Sequence, residues 1–187
     1  HDIETYIFAS TCSVYGSQPD VLITEKSPLK PLDFYAEQKF KCERAIGWLN
    51  RAPTIMRFGT LFGLSPRMRF DLTVSEFTRE LAMGRELLVY DPNTWRPYCH
   101  VQDFARLIQM VIEAPKEKVS WEIFNSGGDI NNATKQMIVD YIIAIYPNGK
   151  IRYQDHGNDP RNYRVSFEKV KSTIGFEPKY TIRDGVE

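Results

Sequence analysis

Apolar and polar positions along this chain follow two rhythms, one of period two and one near 3.6, which replace each other several times. Residues 3–9 (IETYIFA) are β-branched and aromatic and run into the polar cluster Ser10-Thr11-Cys12-Ser13, a strand and the turn after it. Residues 19–32 contain Pro19, Pro28 and Pro31 and read as a loop. Asp33 is placed to cap a helix over 34 to about 50, where Phe34, Phe40, Ala45, Ile46, Trp48 and Leu49 keep helical spacing. Residues 54–58 predict a short strand, and Gly59 to Gly63 a turn. After the Arg-rich loop at 65–69, residues 70–83 predict a helix stopping at Gly84. A strand is expected at 86–90, a turn at 91–97 and an extended piece at 98–101. Asp103 is read as the cap of a helix over 104–114 that Pro115 closes. A strand at 122–125 ends in Ser126-Gly127-Gly128, a helix covers about 134–145 before Pro147, a last strand is expected at 151–154, and a short helix at 167–174.

Strands alternating with helices of ten or more residues predict an α/β fold with a parallel sheet. Residues 66–90 and 130–187 are less regular and carry most of the Arg and Pro, the pattern of a smaller lobe beside the sheet. The first strand starts almost at once, and a parallel strand needs neighbours on both sides. An N-terminal portion is therefore expected to precede it.

Composition narrows the function. Hydrophobic residues are 42% and charged residues 26% of 187, which excludes disorder as the main state. The 24 Lys+Arg balance 24 Asp+Glu, so a broadly basic nucleic-acid binder is not expected. No apolar run has the length of a membrane span, and His1-Asp2-Ile3-Glu4 carries no secretory signal pattern. Cys12, Cys42 and Cys99 are too scattered for a disulfide framework or a zinc site and read as reduced thiols of a cytoplasmic protein. No metal is expected, since His1, His100 and His156 are isolated from one another.

The chemistry starts with Tyr35 and Lys39, one helical turn apart on one face. An ammonium beside a phenol favours the phenolate, a base usable near neutral pH. By itself such a pair is common on helix surfaces. Here a hydroxyl, Thr11, stands at the end of the preceding strand, and parallel α/β sheets place ligands at the carboxyl ends of their strands.

The ordered series IFASTCSVYG, FYAEQK, IMRFGTLFG, RPYCHVQD, EIFNSGG, RNYRVSFEKV and IGFEP resembles the extended short-chain dehydrogenase/reductase family, in its NAD-dependent nucleotide-sugar epimerase/dehydratase branch. That resemblance implies the C-terminal part of a Rossmann-like sheet at 1–63 and 95–128, and a substrate-binding lobe at 64–94 and 129–187. It implies Thr11, Tyr35 and Lys39 as catalytic residues, with Tyr35, Lys39 and Gly59 also meeting the cofactor. Thr11, Thr60, Arg96 and Arg161 are implied as substrate contacts. Thr60 stands where many relatives have Asn, and the tail spacing leaves Arg164 as an alternative to Arg161. The cofactor implied is NAD, with NADP left open. The partners implied are a nucleoside-diphosphate sugar and a second copy of the chain, paired through the helix bearing Phe40, Ile46 and Trp48. Arg67 and Arg69 could add positive charge to the pocket.

Two departures qualify the resemblance. The glycine-rich dinucleotide fingerprint is absent, and at about 30 residues per βαβ unit roughly 100 N-terminal residues are expected to be missing. The dehydratases of the family have Asp-Glu straight after the catalytic Thr, whereas this chain has Cys12-Ser13. Cys12 reads as a buried thiol and His100 as a packed histidine. The expectation is an epimerase acting at C4 of the hexose through a transient 4-keto sugar. The alternatives are a sugar-nucleotide reductase or dehydrogenase, and an inactive piece serving only nucleotide binding or dimerisation.

Overall fold

The computed structural model describes residues 5–48, 52–155, 157 and 159–187. Residues 3 and 4 of the expected first strand, positions 49 and 50 of the expected first helix, and His1 and His156 lie outside them.

The chain runs β1 (Tyr6–Thr11), a 3-10 turn (Cys12–Tyr15), β2 (Gln18–Ile23), α1 (Phe34–Ile46), β3 (Pro53–Phe58), β4 (Thr60–Phe62) and α2 (Thr73–Ala82). It continues with β5 (Leu87–Tyr90), β6 (Trp95–His100), α3 (Val101–Glu113), α4 (Lys116–Val119), β7 (Ile123–Ser126) and β8 (Asn132–Thr134). The last elements are α5 (Lys135–Ile145), β9 (Ile151–Gln154), β10 (Tyr163–Val165), α6 (Glu168–Ile174) and α7 (Ile182–Val186).

The expected parallel sheet is the β1–β3–β7 sheet, with β3 in the middle. Every residue of β3 is buried, as a strand covered on both faces requires, and Arg57 is the one charge within it. The register aligns Thr11 with Phe58, and Phe58 with Ser126, so the three strands end together at one carboxyl edge. Smaller pairings surround this sheet: β10 with β2, β4 with β6, and β5 with β9 are parallel, and β6 with β8 is antiparallel.

Two buried apolar clusters hold the chain together. The first takes residues from 12–58, 107–124 and 163–176, among them Met56, Leu107, Phe124 and Phe176. The second takes residues from 62–98, 133–142 and 182–186, including Phe77, Tyr98 and Ile138. Each large apolar side chain so covered contributes about 1.5–3 kcal/mol. The tail expected in the second unit is thus shared out, because β10 pairs with β2 and carries 163–176 into the first cluster.

Several local expectations are corrected. Part of the 19–32 loop is β2. Pro19 is tolerated there because the strand has only three-residue β10 as partner, with a register break. The Gly59 to Gly63 turn contains β4. Gly59 marks a close backbone approach: a Cβ there would stand 2.7 Å from the Pro97 carbonyl oxygen. The 91–97 turn gives up 95–97 to β6, which β8 pairs.

Asp103 does not cap α3. His100 does, its Nδ1 accepting from Gln102 N at 3.2 Å. Asp103 sits buried in the first turn and accepts from the Lys179 and Tyr180 amides, tying down the tail. The short elements β8, β10, α4 and α7 had no periodic signal. No described helix is long and apolar enough to cross a membrane.

Candidate active site

The carboxyl edge of the central sheet gathers the expected residues. Thr11 closes β1 and is buried, with Oγ1 accepting from Ser13 N at 3.1 Å. Among the described residues no acceptor takes its hydroxyl proton. The 3-10 turn after it packs on α1, which also packs on β1.

Asp33 caps α1 through Oδ1, 2.7 Å from Ala36 N. Tyr35 therefore sits in the first helical turn, 55% exposed, and its hydroxyl has no hydrogen bond among the described residues. Lys39 lies one turn on, with Nζ 5.9 Å from the Tyr35 ring centroid. It donates to the Ala9 carbonyl at 2.8 Å and lies 4.9 Å over the Phe8 ring. One of its three protons is so engaged, and two point to no described partner. Gly59 follows β3 at the same edge and donates to the Ser126 carbonyl. Thr60, next to it, is half-buried at the start of β4 opposite Tyr98.

The two arginines meet on one carboxylate. Arg96, buried in β6, places Nη2 2.8 Å from Asp159. Arg161 forks onto the same carboxylate, with Nε and Nη2 at 2.8 and 3.0 Å. Its Nη1 reaches Ser13 Oγ at 3.0 Å and Asp33 at 3.3 Å. The cluster thus touches the turn that follows Thr11 and the cap that precedes Tyr35. Burial raises the Asp159 pKa, but the Arg161 hydrogen bonds and the charge of Arg96 outweigh it and hold the carboxyl well below its usual range. Lys135, at the start of α5, donates to the Tyr90 carbonyl at 2.7 Å. Burial and the nearby charge of Arg96 lower its pKa.

The other candidates lie apart from this cluster. Arg164 is exposed and rests 5.2 Å over the Trp95 ring. Arg67 is exposed, and Arg69 is forked onto Asp71 at 2.9 and 2.6 Å, within electrostatic reach of Tyr35. Cys12 is fully buried, its Sγ against the Arg57 carbonyl, and burial pushes the thiol up.

His100 stacks on Tyr180 with ring centroids 4.4 Å apart, and burial lowers its pKa. It lines a cavity of about 590 Å³ between the outer face of α2 and α7, which none of the expected site residues lines. Of the residues expected to pair two copies, Ile46 is buried and Phe40 packs inward, and only Trp48 is exposed.

Asp159, Ser13 and Lys135 were not foreseen. The signal available for Asp159 was its place two residues before Arg161, a spacing at which a carboxylate and a guanidinium can fork. Asp33 was foreseen only as a cap, and its second oxygen is what reaches Arg161.

The edge fits the nicotinamide-ribose end of a dinucleotide. An exposed phenol and an ammonium with two N–H donors that meet no described partner stand beside a backbone held close by Gly59. The arginine pair has the fork geometry that suits a diphosphate.

Residues 1–127 match the family described as the NAD dependent epimerase/dehydratase family. The UDP-glucose 4-epimerase of Halalkalibacterium halodurans is 24% identical over 200 residues, which cover 96% of this chain and 60% of that protein. The dTDP-glucose 4,6-dehydratase of Bacillus anthracis, solved in complex with NAD, is 27% identical with a TM-score of 0.84, over 97% of this chain and 59% of that one. In fold the chain is also like the UDP-glucose 4-epimerase of Thermotoga maritima, solved with UDP-glucose, with a TM-score of 0.86 at 22% identity over 98% of this chain and 61% of that one. The Rossmann-like α/β class is the one these neighbours share. The chain spans about three fifths of the length of these relatives.

Proposed function

The chain belongs to the NAD dependent epimerase/dehydratase family, and on that premise we propose that it is the acid–base and substrate-binding portion of an epimerase of nucleotide-activated sugars, acting at C4. The observation that carries this reading is the setting of Thr11. The two residues after it are Cys12, buried against the Arg57 carbonyl, and Ser13, which binds Arg161. Neither supplies a carboxyl group to remove water from the sugar. Epimerisation needs only the hydroxyl–phenol–ammonium set that the edge provides.

In this reading NAD, when bound, would supply the hydride acceptor and donor for the sugar carbinol. Tyr35 takes the proton of the C4 hydroxyl and later returns it. The Lys39 ammonium stabilises negative charge on Tyr35 and holds the ribose. Thr11 donates to the sugar oxygen as charge develops. Arg96 and Arg161 hold the diphosphate, and Thr60 lies beside the sugar. The homologous epimerase of UDP-glucose makes a UDP-hexose the first substrate to try. The same proposal includes a cytosolic homodimer to which Trp48, exposed just after the end of α1, contributes.

The test is an assay of the complete protein with NAD and UDP-glucose, or another nucleoside-diphosphate hexose. The expected product is the C4 epimer, with no net build-up of NADH. Stoichiometric NADH would make it a dehydrogenase, and a 4-keto-6-deoxy product would make it a dehydratase.

Asp159 supplies a second check. It is the counter-charge that both arginines hold, so a diphosphate must share them with it. Asp159→Asn is expected to tighten UDP binding a few-fold and to steepen its salt dependence, as measured by isothermal titration calorimetry. Weaker binding would make Asp159 an orienting group for the arginines and not a competitor.

A further inference from the structure

The face of α1 that carries Tyr35 and Lys39 continues, four residues on, to Glu43. Glu43 is 6% exposed and ends against Arg57 of the central strand, itself 3% exposed. The two groups are forked: Arg57 Nη2 lies 2.7 Å from Oε2 and Nε 3.0 Å from Oε1. Oε1 also accepts the Ser10 hydroxyl at 2.5 Å, and Ser10 stands directly before Thr11. Arg57 Nη1 donates to Tyr15 Oη at 2.9 Å, and Tyr15 donates to Asn125 of β7 at 2.6 Å. One carboxylate is thereby fixed to the strand end bearing Thr11, to the strand leading to Gly59, and through Tyr15 to the third strand.

A buried ion pair is an inefficient way to fasten a helix to a sheet. Apolar residues of similar volume often serve stability as well or better. What the fork adds is direction, since a planar guanidinium accepts a carboxylate in few orientations. It fixes both the rotation of α1 and its position along β1.

We propose that Glu43 and Arg57 are positioning residues that set the Tyr35 and Lys39 side chains against the Thr11 hydroxyl. This rests on the catalytic reading of those three residues. Misplacing reacting groups by about 1 Å costs on the order of 10²-fold in rate, so the pair is expected to act on kcat and to leave sugar-nucleotide affinity alone.

The experiment uses the complete protein with NAD and compares wild type, Arg57→Lys, and the double variant Glu43→Met/Arg57→Met. Wild-type turnover tests the catalytic reading, and the ratio of each variant to wild type tests the positioning. Arg57→Lys keeps the charge and loses the fork. Its kcat is expected to fall about 10–10²-fold, with KM within two-fold of wild type and faster amide hydrogen exchange confined to α1. The double variant is expected to unfold at or above the wild-type temperature and still keep the low kcat. The proposal is overturned if Arg57→Lys turns over at the wild-type rate with unchanged α1 exchange. It is equally overturned if kcat in the double variant recovers along with stability, because the pair would then be only a fastening.

Discussion

Arg57→Ala is expected to lower the unfolding free energy of the protein by about 3–5 kcal/mol. The reason is what the truncation leaves behind. Among the described residues Glu43 would stay buried with the Ser10 hydroxyl alone as partner, and Tyr15 would lose its donor at 2.9 Å. Burial works against the Arg57 charge, yet the charge of Glu43 and the hydrogen bonds to Glu43 and Tyr15 outweigh it and raise the Arg57 pKa, so no easy neutral form relieves the pair. Natural domains have about 5–15 kcal/mol in hand, so the loss is a large fraction of the total. Calorimetric melting of the complete protein reads it directly. A fall of under about 1 kcal/mol would mean that water reaches the Glu43 carboxylate and that the network is not sealed.

That network was the least legible part of the site. Glu43 and Arg57 stand 14 residues apart in no motif, one on a helix and one in an apolar strand. Only the folding of α1 over β3 brings the two together. By contrast, β1, β3, β5 and β7 were legible because each is a local apolar run between punctuation marks, α1 because Asp33 stands at its start, and α5 because Pro147 closes its apolar run. The strands β4, β8 and β10 have three residues each and owe their form to partners far along the chain. Pro19 and Gly59 misled for one reason. Both residues punctuate loops, but here one tolerates a ribbon edge and the other admits a neighbouring backbone. At the carboxyl edge, the spacing of Tyr35 and Lys39 was readable from helical geometry alone. The meeting of the α1 cap with Arg161, and of Arg161 with Arg96, was not, because it depends on Asp33 and Asp159 bridging segments more than 60 residues apart.

Tyr35→Phe is expected to cut turnover of the complete enzyme by about 10³-fold or more, within the range that a positioned acid–base group supplies. It removes one oxygen that makes no hydrogen bond to any described residue and leaves a ring that is 55% exposed. Stability should therefore stay within about 0.5 kcal/mol of wild type. Binding of the sugar nucleotide should also be nearly unchanged, because the charges proposed to hold it are on Arg96 and Arg161. Equal losses in kcat and kcat/KM would mark an interaction made only as the proton moves. Thr11→Val makes the useful comparison. It deletes a donor to the developing charge, for which the expected loss is about 10²–10³-fold, and it also unties Ser13 N from Thr11 Oγ1, so it should cost stability where Tyr35→Phe does not. Steady-state kinetics and melting of the two variants together separate a base from a binding group. If Tyr35→Phe kept more than a tenth of wild-type turnover, the proton would have to leave by another route, and the assignment of Tyr35 would fall.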